Sequence, residues 1–207
     1  MTRGRGRATG CAIACAVAMF AVPSPRPLRA QDSLPVGFGT LKRDDIVVRF
    51  ATDQIAVQVL PLAEGVIRLL APDTYASLKQ LLKSRKTQID SAATRAGEVR
   101  PTLVMVTFLG IVPQARFNPE DLSIVSQGRL YRPVAIVPLS PQWSSYQLDA
   151  REQAVAIYLF DEGITFRETM TVSYGDVTND AWQGILPLLE RERSRVLARG
   201  GLTPRSP

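Results

Sequence analysis

From Asp45 onward the chain alternates between apolar and polar or small residues. Ile46, Val48 and Phe50 interleave with Val47, Arg49 and Ala51. After the polar pair Thr52-Asp53, Ile55, Val57 and Val59 interleave with Ala56, Gln58 and Leu60. Period-two patterning with β-branched residues, broken by a short polar turn, predicts a hairpin. Ala63-Glu64-Gly65 predicts a second turn and Val66 to Leu70 a third short strand. The period changes at Pro72-Asp73-Thr74. Asp73 is placed to cap a helix over about 73–96, with Tyr75, Leu78, Leu81, Leu82 and Ile89 on its apolar stripe and Gly97 as its stop. Lys79, Lys83, Arg85 and Lys86 face elsewhere, as a solvated face or as a surface for anionic lipid.

A second strand block follows Pro101. Leu103 to Leu109 is almost wholly apolar, as in a strand covered on both faces. Leu122-Ser123-Ile124 is a short strand, and Gln127-Gly128 a turn. Leu130 to Leu139 contains Pro133 and Pro138, which suits an edge or bent strand. Pro141 to Ser145 reads as a loop, Ala154 to Phe160 as an apolar strand, and Phe166 to Tyr174 as the last strand. After Gly175 the spacing turns helical again. Asn179 or Asp180 caps a helix striped by Trp182, Ile185, Leu186, Leu189, Val196 and Leu197. Its Glu190, Arg191, Glu192, Arg193, Arg195 and Arg199 read as a near-balanced solvated face.

The N-terminal segment has neither period. Arg3, Arg5 and Arg7 precede an unbroken small and apolar run, Cys11 to Val22, and a prolyl stretch ends at Ala30. This order predicts a secretory signal peptide over residues 1–30. The run is about twelve residues, short of the roughly 20 a membrane span needs. Cys11 and Cys15 lie at the start of the run, whereas a lipidated cysteine follows it. The assignment changes the charge picture. The chain is +6 overall, but five of its 25 basic residues and none of its 19 acids fall within residues 1–30. That leaves 20 against 19, so the net charge gives no reason to expect nucleic-acid binding.

Residue types narrow the chemistry further. The chain has no histidine, and both cysteines are in the N-terminal segment. A Ser-His-Asp triad, a Cys-His pair, His or Cys metal sites and a disulfide are therefore outside what residues 31–207 can build. Carboxylate pairs, Ser-Lys arrangements and oxygen-ligated hard metals are what the composition allows. Glu120 with Asp121, or Asp149 with Glu152, are the candidate pairs for glycoside hydrolysis. Asp161 and Glu162, with Asp176 and Asp180, are candidates for calcium, set against the commoner reading as polar turns. Tyr131, Trp143 and Tyr146 sit in or near prolyl loops, with Arg129 and Arg132 flanking Tyr131. Aromatics there make a contact surface, or else they cap the core.

Residues 103–174 also carry an order of motifs. An apolar strand precedes Phe117-x-Pro119-x-Asp121-Leu122-x-Ile124, then Gly128, Tyr131 and Pro133. Tyr158-Leu159-Phe160-Asp161 follows, and then a strand ending Val172-Ser173-Tyr174. This order resembles the immunoglobulin-like β-sandwich domains of unknown function found in exported bacterial proteins. The resemblance implies a fold and an adaptor or binding role outside the cytoplasm, and it carries no catalytic residue with it. Members of that family commonly follow a lipid-anchored cysteine, which this chain lacks in the matching place.

The sequence thus predicts a mainly β, overall α+β protein: an immunoglobulin-like antiparallel β-sandwich over residues 44–175, with one inserted helix and a C-terminal helix over 176–200. A flexible leader over 31–43 and a disordered tail over 201–207 are expected on either side. The expected role is that of a periplasmic or secreted binding module with no catalytic residue, cofactor or metal. Its contact surface runs from Tyr131 to Tyr146, and its partner is another envelope protein or a surface glycan. No stable membrane span is expected after cleavage. A carboxylate-dependent hydrolase of envelope glycans is the alternative.

Overall fold

The structure, a computed structural model, describes residues 34–201. The expected signal peptide, residues 31–33 of the leader and residues 202–207 of the tail lie outside the described residues. The fold is mixed α+β, with mainly antiparallel sheets and a C-terminal helix. The predicted hairpin is present: β1 (Val48–Ala51) pairs with β2 (Ile55–Pro61), Val48 opposite Val59. β3 (Thr102–Gly110) lies between β2 and β9 (Gln153–Phe160), buried at most of its positions, which explains its near-continuous apolar run. β7 (Pro133–Pro138) closes this five-stranded sheet as an edge strand, and a register shift falls between Pro133 and Ala135. Proline has no N–H to give a ladder, so an edge is where it is tolerated.

The second sheet has the order β11 (Val177–Asn179), β10 (Met170–Tyr174), β5 (Leu122–Ser126), β6 (Arg129–Tyr131). Gln127 and Gly128 join β5 to β6 with φ of 52° and 72°. Two consecutive positive values make the tight turn whose twist matches the strands it joins. A small ladder, β4 (Ala115–Arg116) with β8 (Gln147–Leu148), lies apart from both sheets. Arg132 links β6 directly to β7, so the chain crosses between sheets there. Asn179 Nδ2 donates to the Arg49 carbonyl at 3.1 Å, joining β11 to β1. Buried residues of both sheets and the helices belong to one continuous core.

Several features depart from the sequence reading. Val66 to Leu70 is not a strand, because α1 (Glu64–Ile67) starts inside the expected turn. Val66, Ile67, Leu69 and Leu70 are all buried on either side of the half-buried Arg68, and so short a run does not tell helix from strand by its period. Glu64 favours the helix: it accepts from Arg68 Nε at 2.7 Å one turn on. The single inserted helix is instead two, α2 (Pro72–Ser84) and α3 (Lys86–Ala96), parted at Arg85. Between Leu82 and Ile89 no apolar residue meets the core, and Ser84 Oγ bonds back to the Leu81 carbonyl, so little holds that turn straight. Proline occupies the first position of α2, and Asp73 is an acid in its first turn rather than its cap.

The described part of the leader is packed. Leu34 and Leu41 are buried, Leu41 forms a parallel bridge with Leu70, and a Cβ on Gly39 would fall 2.3 Å from the Leu69 carbonyl carbon. This packing also changes α4 (Trp182–Arg199), whose charged residues are not all solvated. Glu192 is 1% exposed and accepts from the Thr40 N–H at 2.9 Å and Thr40 Oγ1 at 2.8 Å. Arg199 donates to Glu192 at 3.2 Å and to the Phe38 carbonyl at 2.7 Å. Arg193 is buried beside them, and burial with Arg167 nearby lowers its pKa from the ordinary arginine value.

Glu64 also binds α1 to α2 by accepting from Tyr75 Oη at 2.8 Å and Lys79 Nζ at 2.9 Å. Burial pushes its pKa up, but the bonds from Arg68, Lys79 and Tyr75 outweigh that and leave it below the ordinary carboxylate value. A depressed folded pKa stabilises above the unfolded value, near about 4.3, and that stabilisation is lost as pH falls through the folded pKa. Glu64→Gln should therefore lower the urea midpoint most above about pH 5, and the gap from the parent should close as the solution becomes more acidic. A gap independent of pH would contradict the assignment.

Candidate functional site

At one end of the molecule a prolyl turn from each sheet's connections meets the core strand β3. After β4, Phe117 enters the core and Asn118 fixes the short 3-10 turn Pro119–Asp121. Asn118 Oδ1 accepts from the Glu120 N–H at 3.2 Å, and its Nδ2 donates to Asp121 Oδ1 at 2.8 Å. The Asn118 N–H donates to Tyr174 Oη at 2.8 Å, and Tyr158 Oη donates to the Pro119 carbonyl at 2.9 Å. Burial raises the pKa of both phenols. Asp121 adds to the rise in each, and the Asn118 N–H opposes it at Tyr174. Both tyrosines therefore stay neutral near pH 7 and serve as fixed struts for the turn.

The facing wall comes from a second 3-10 turn, Pro141–Ser145. Trp143 packs into the core, its ring 5.4 Å from Phe117, 5.8 Å from Phe108 and 6.0 Å from Tyr158. The turn ends at Tyr146, whose φ of 50° and ψ of 22° are left-handed. Gln114, Gln127 and Arg151 also have positive φ, each at a turn, and of these four non-glycine residues Tyr146 is the aromatic one. The Phe117 N–H donates to the Tyr146 carbonyl at 3.1 Å, and the Tyr146 ring meets Phe117 edge-on at 5.9 Å. Tyr146 is nevertheless 52% exposed. Between the two turns lies an open groove of about 640 Å³, walled by Phe117, Trp143 and Tyr146 with Pro119, Pro138 and Ile136, and with Asn118 and Glu120 as its polar rim. Its size is that of a ligand-binding cleft, about 300–1,000 Å³.

The predicted contact surface is divided. Trp143 and Tyr146 share this groove, but Trp143 is buried and lends only its edge. Tyr131, also buried, lies opposite Ile124 in the second sheet, and a Cβ on Gly163 would come within 2.7 Å of its hydroxyl. Arg129 lies over the Tyr131 ring at 4.7 Å and pairs with Asp161 at 3.0 Å, so these residues tie β6 to the 161–163 turn. Arg132 is exposed on the β6–β7 crossing. Tyr131 and Trp143 are thus both buried, and Trp143 packs among the rings of Phe108, Phe117 and Tyr158 rather than standing out from the surface. Phe117 and Pro119 lie outside the predicted surface, whereas Ile136 and Pro138 fall within its span without being named as contacts. The Asn118-Pro119 pair beside an aromatic gave the same signal as Pro141 beside Trp143.

Asp149, Glu152 and Asp161 have structural partners. Glu152 Oε2 accepts from the Asp149 N–H at 3.0 Å, closing the turn that rests on Gly110. Asp161 is held by Arg129, and no group of three acidic, His or Cys side chains among the described residues is arranged to hold a metal ion. Comparison with known proteins returned no matching family model, curated protein or solved structure.

The division of labour between the two aromatics is measurable. Trp143→Ala should destabilise the protein by about 3–5 kcal/mol in urea denaturation, as expected for a large buried ring. Tyr146→Ala should cost under about 1 kcal/mol, because it removes exposed surface from a strained position. Equal losses would show that Tyr146 is a core residue.

Proposed function

We propose that this protein is an exported, non-catalytic interaction module of the bacterial envelope that engages another envelope protein or a surface glycan at the Trp143–Tyr146 groove. The observation that carries the reading is Tyr146, a half-exposed aromatic held in left-handed backbone at the lip of a cleft with aromatic and prolyl walls and a polar rim. Rigid aromatics with few rotors bury large area at small entropic cost, and they suit both peptide and sugar faces. Two antiparallel sheets sharing one core favour the immunoglobulin-like sandwich that residues 103–174 resemble. Export rests on the arginine-led apolar segment of residues 1–30. No helix among the described residues is long and apolar enough to cross a membrane.

The glycan-hydrolase reading has one supporting observation, Glu120 at the groove's rim beside aromatic walls. Its proposed partner Asp121 is engaged by Asn118 and does not line the groove, whereas glycoside hydrolysis uses carboxyls on both sides of the scissile bond. The binding reading is therefore preferred.

The test is cross-linking in the native envelope. Tyr146→Ala should lose a specific cross-linked partner that the parent and an Arg132→Ala control both retain, while the thermal melts of all three agree. An undiminished adduct would reject the groove. Intact mass of the same material tests export, since Met1 retained on cytosolic protein contradicts it.

A further inference from the structure

The break at Arg85 opens a second groove, of about 510 Å³, between α2 and α3. It shares no lining residue with the Tyr146 groove. Its apolar surface comes from Leu82 of α2, Ile89 of α3 and Leu103 of β3. Three lysines stand along it, against a single acid, Asp90. Lys79 is committed to Glu64, within the network that also holds Tyr75 and Arg68. Lys86 pairs with Asp90 across one helical turn, in an exposed contact that contributes little. Lys83 is exposed and has no ion pair or hydrogen bond among the described residues.

An apolar cleft in a helix bend, rimmed by an unneutralised cation, has two unmet demands of opposite kind. A neutral hydrocarbon answers only the first, and a small anion only the second. We propose that this groove binds a single-chain amphiphile with an anionic head, of the fatty-carboxylate class. The chain lies over Leu82, Ile89 and Leu103, and the head meets Lys83. Lys86 is the second donor, because its pair with Asp90 is exposed and readily exchanged. Lys79 stays with Glu64, whose network joins the two helices α1 and α2. The site is independent of the proposed partner groove, and either can fail without the other.

Calorimetric titration of the purified protein tests this, with octanoate, decanoate and dodecanoate, each below its micellar concentration, and decanol as the neutral control. Affinity should rise about fourfold per methylene, as for chain burial in an apolar site. Decanoate should bind several-fold more tightly than decanol. Lys83→Glu should weaken decanoate about tenfold and leave decanol unchanged. Ala76→Glu, which places a like charge at an exposed lining position without touching Lys83, should do the same. Tyr146→Ala should leave both ligands unaffected. Equal affinity for decanoate and decanol, or undiminished decanoate binding by both charge variants, would overturn the proposal. So would association with vesicles of anionic phospholipid but none with monomeric decanoate, which would assign the lysines to a membrane surface.

Discussion

Phe108 makes the contact around which the two sheets are arranged. It comes from the middle of the five-stranded sheet, and its ring lies 4.8 Å from Phe117, 5.8 Å from Trp143 and 5.4 Å from Tyr174 of the four-stranded sheet. Aromatic pairs at these distances contribute about 0.5–1.5 kcal/mol each beyond the area they bury. Residues 34–201 contain no cysteine, so no covalent bond supplements that contact. The prolyl turns at 119–121 and 141–145 lie against this cluster, and Tyr158 and Tyr174 fix the first of them through neutral hydroxyls. The groove is therefore built on the core: of its three aromatic walls Phe117 and Trp143 are buried, and Tyr146 is the one that extends well out of the core.

A second constraint closes the molecule from the other side. Residues 34–42 run across α1 and α4, with Thr40 on Glu192, Leu34 on Arg68 and Phe38 on Arg199. Removing that segment would take both Thr40 donors from the buried Glu192 carboxylate and leave it to Arg195 and Arg199 alone, and a buried charge that loses hydrogen bonds is costly. The ends of the described chain are thus bound to each other, and the sheets between them are joined at β6–β7 by the chain and at β1–β11 by Asn179.

Much of this arrangement is legible in residue order because its causes are local. The β1–β2 hairpin follows from alternation and a polar turn, the Gln127-Gly128 turn from a glycine that accepts positive φ, and the edge position of β7 from its prolines. What escapes is set by contacts distant in sequence. Val66 to Leu70 has four buried apolar residues around Arg68, too few positions for a period to separate helix from strand. Glu192 reads as solvated until Thr40, 152 residues away, is placed on it. The helix break at Arg85 is visible only as a gap in an apolar stripe. For the groove, aromatic content near prolines picks out Trp143 and Tyr146, which both line it. It could not separate Tyr131, because burial depends on which sheet each strand joins, and Arg132 is where the chain changes sheets.

The central claim is that both sheets form one cooperative unit through the Phe108 cluster. Native-state hydrogen exchange tests it most directly, by comparing amides of β3 and β9 with those of β5 and β10. One cooperative core predicts a shared opening free energy for all four strands, lowered in all of them together by Phe108→Ala. Exchange of β5 and β10 at a distinctly lower free energy than β3 and β9, or a Phe108→Ala effect confined to the five-stranded sheet, would contradict it.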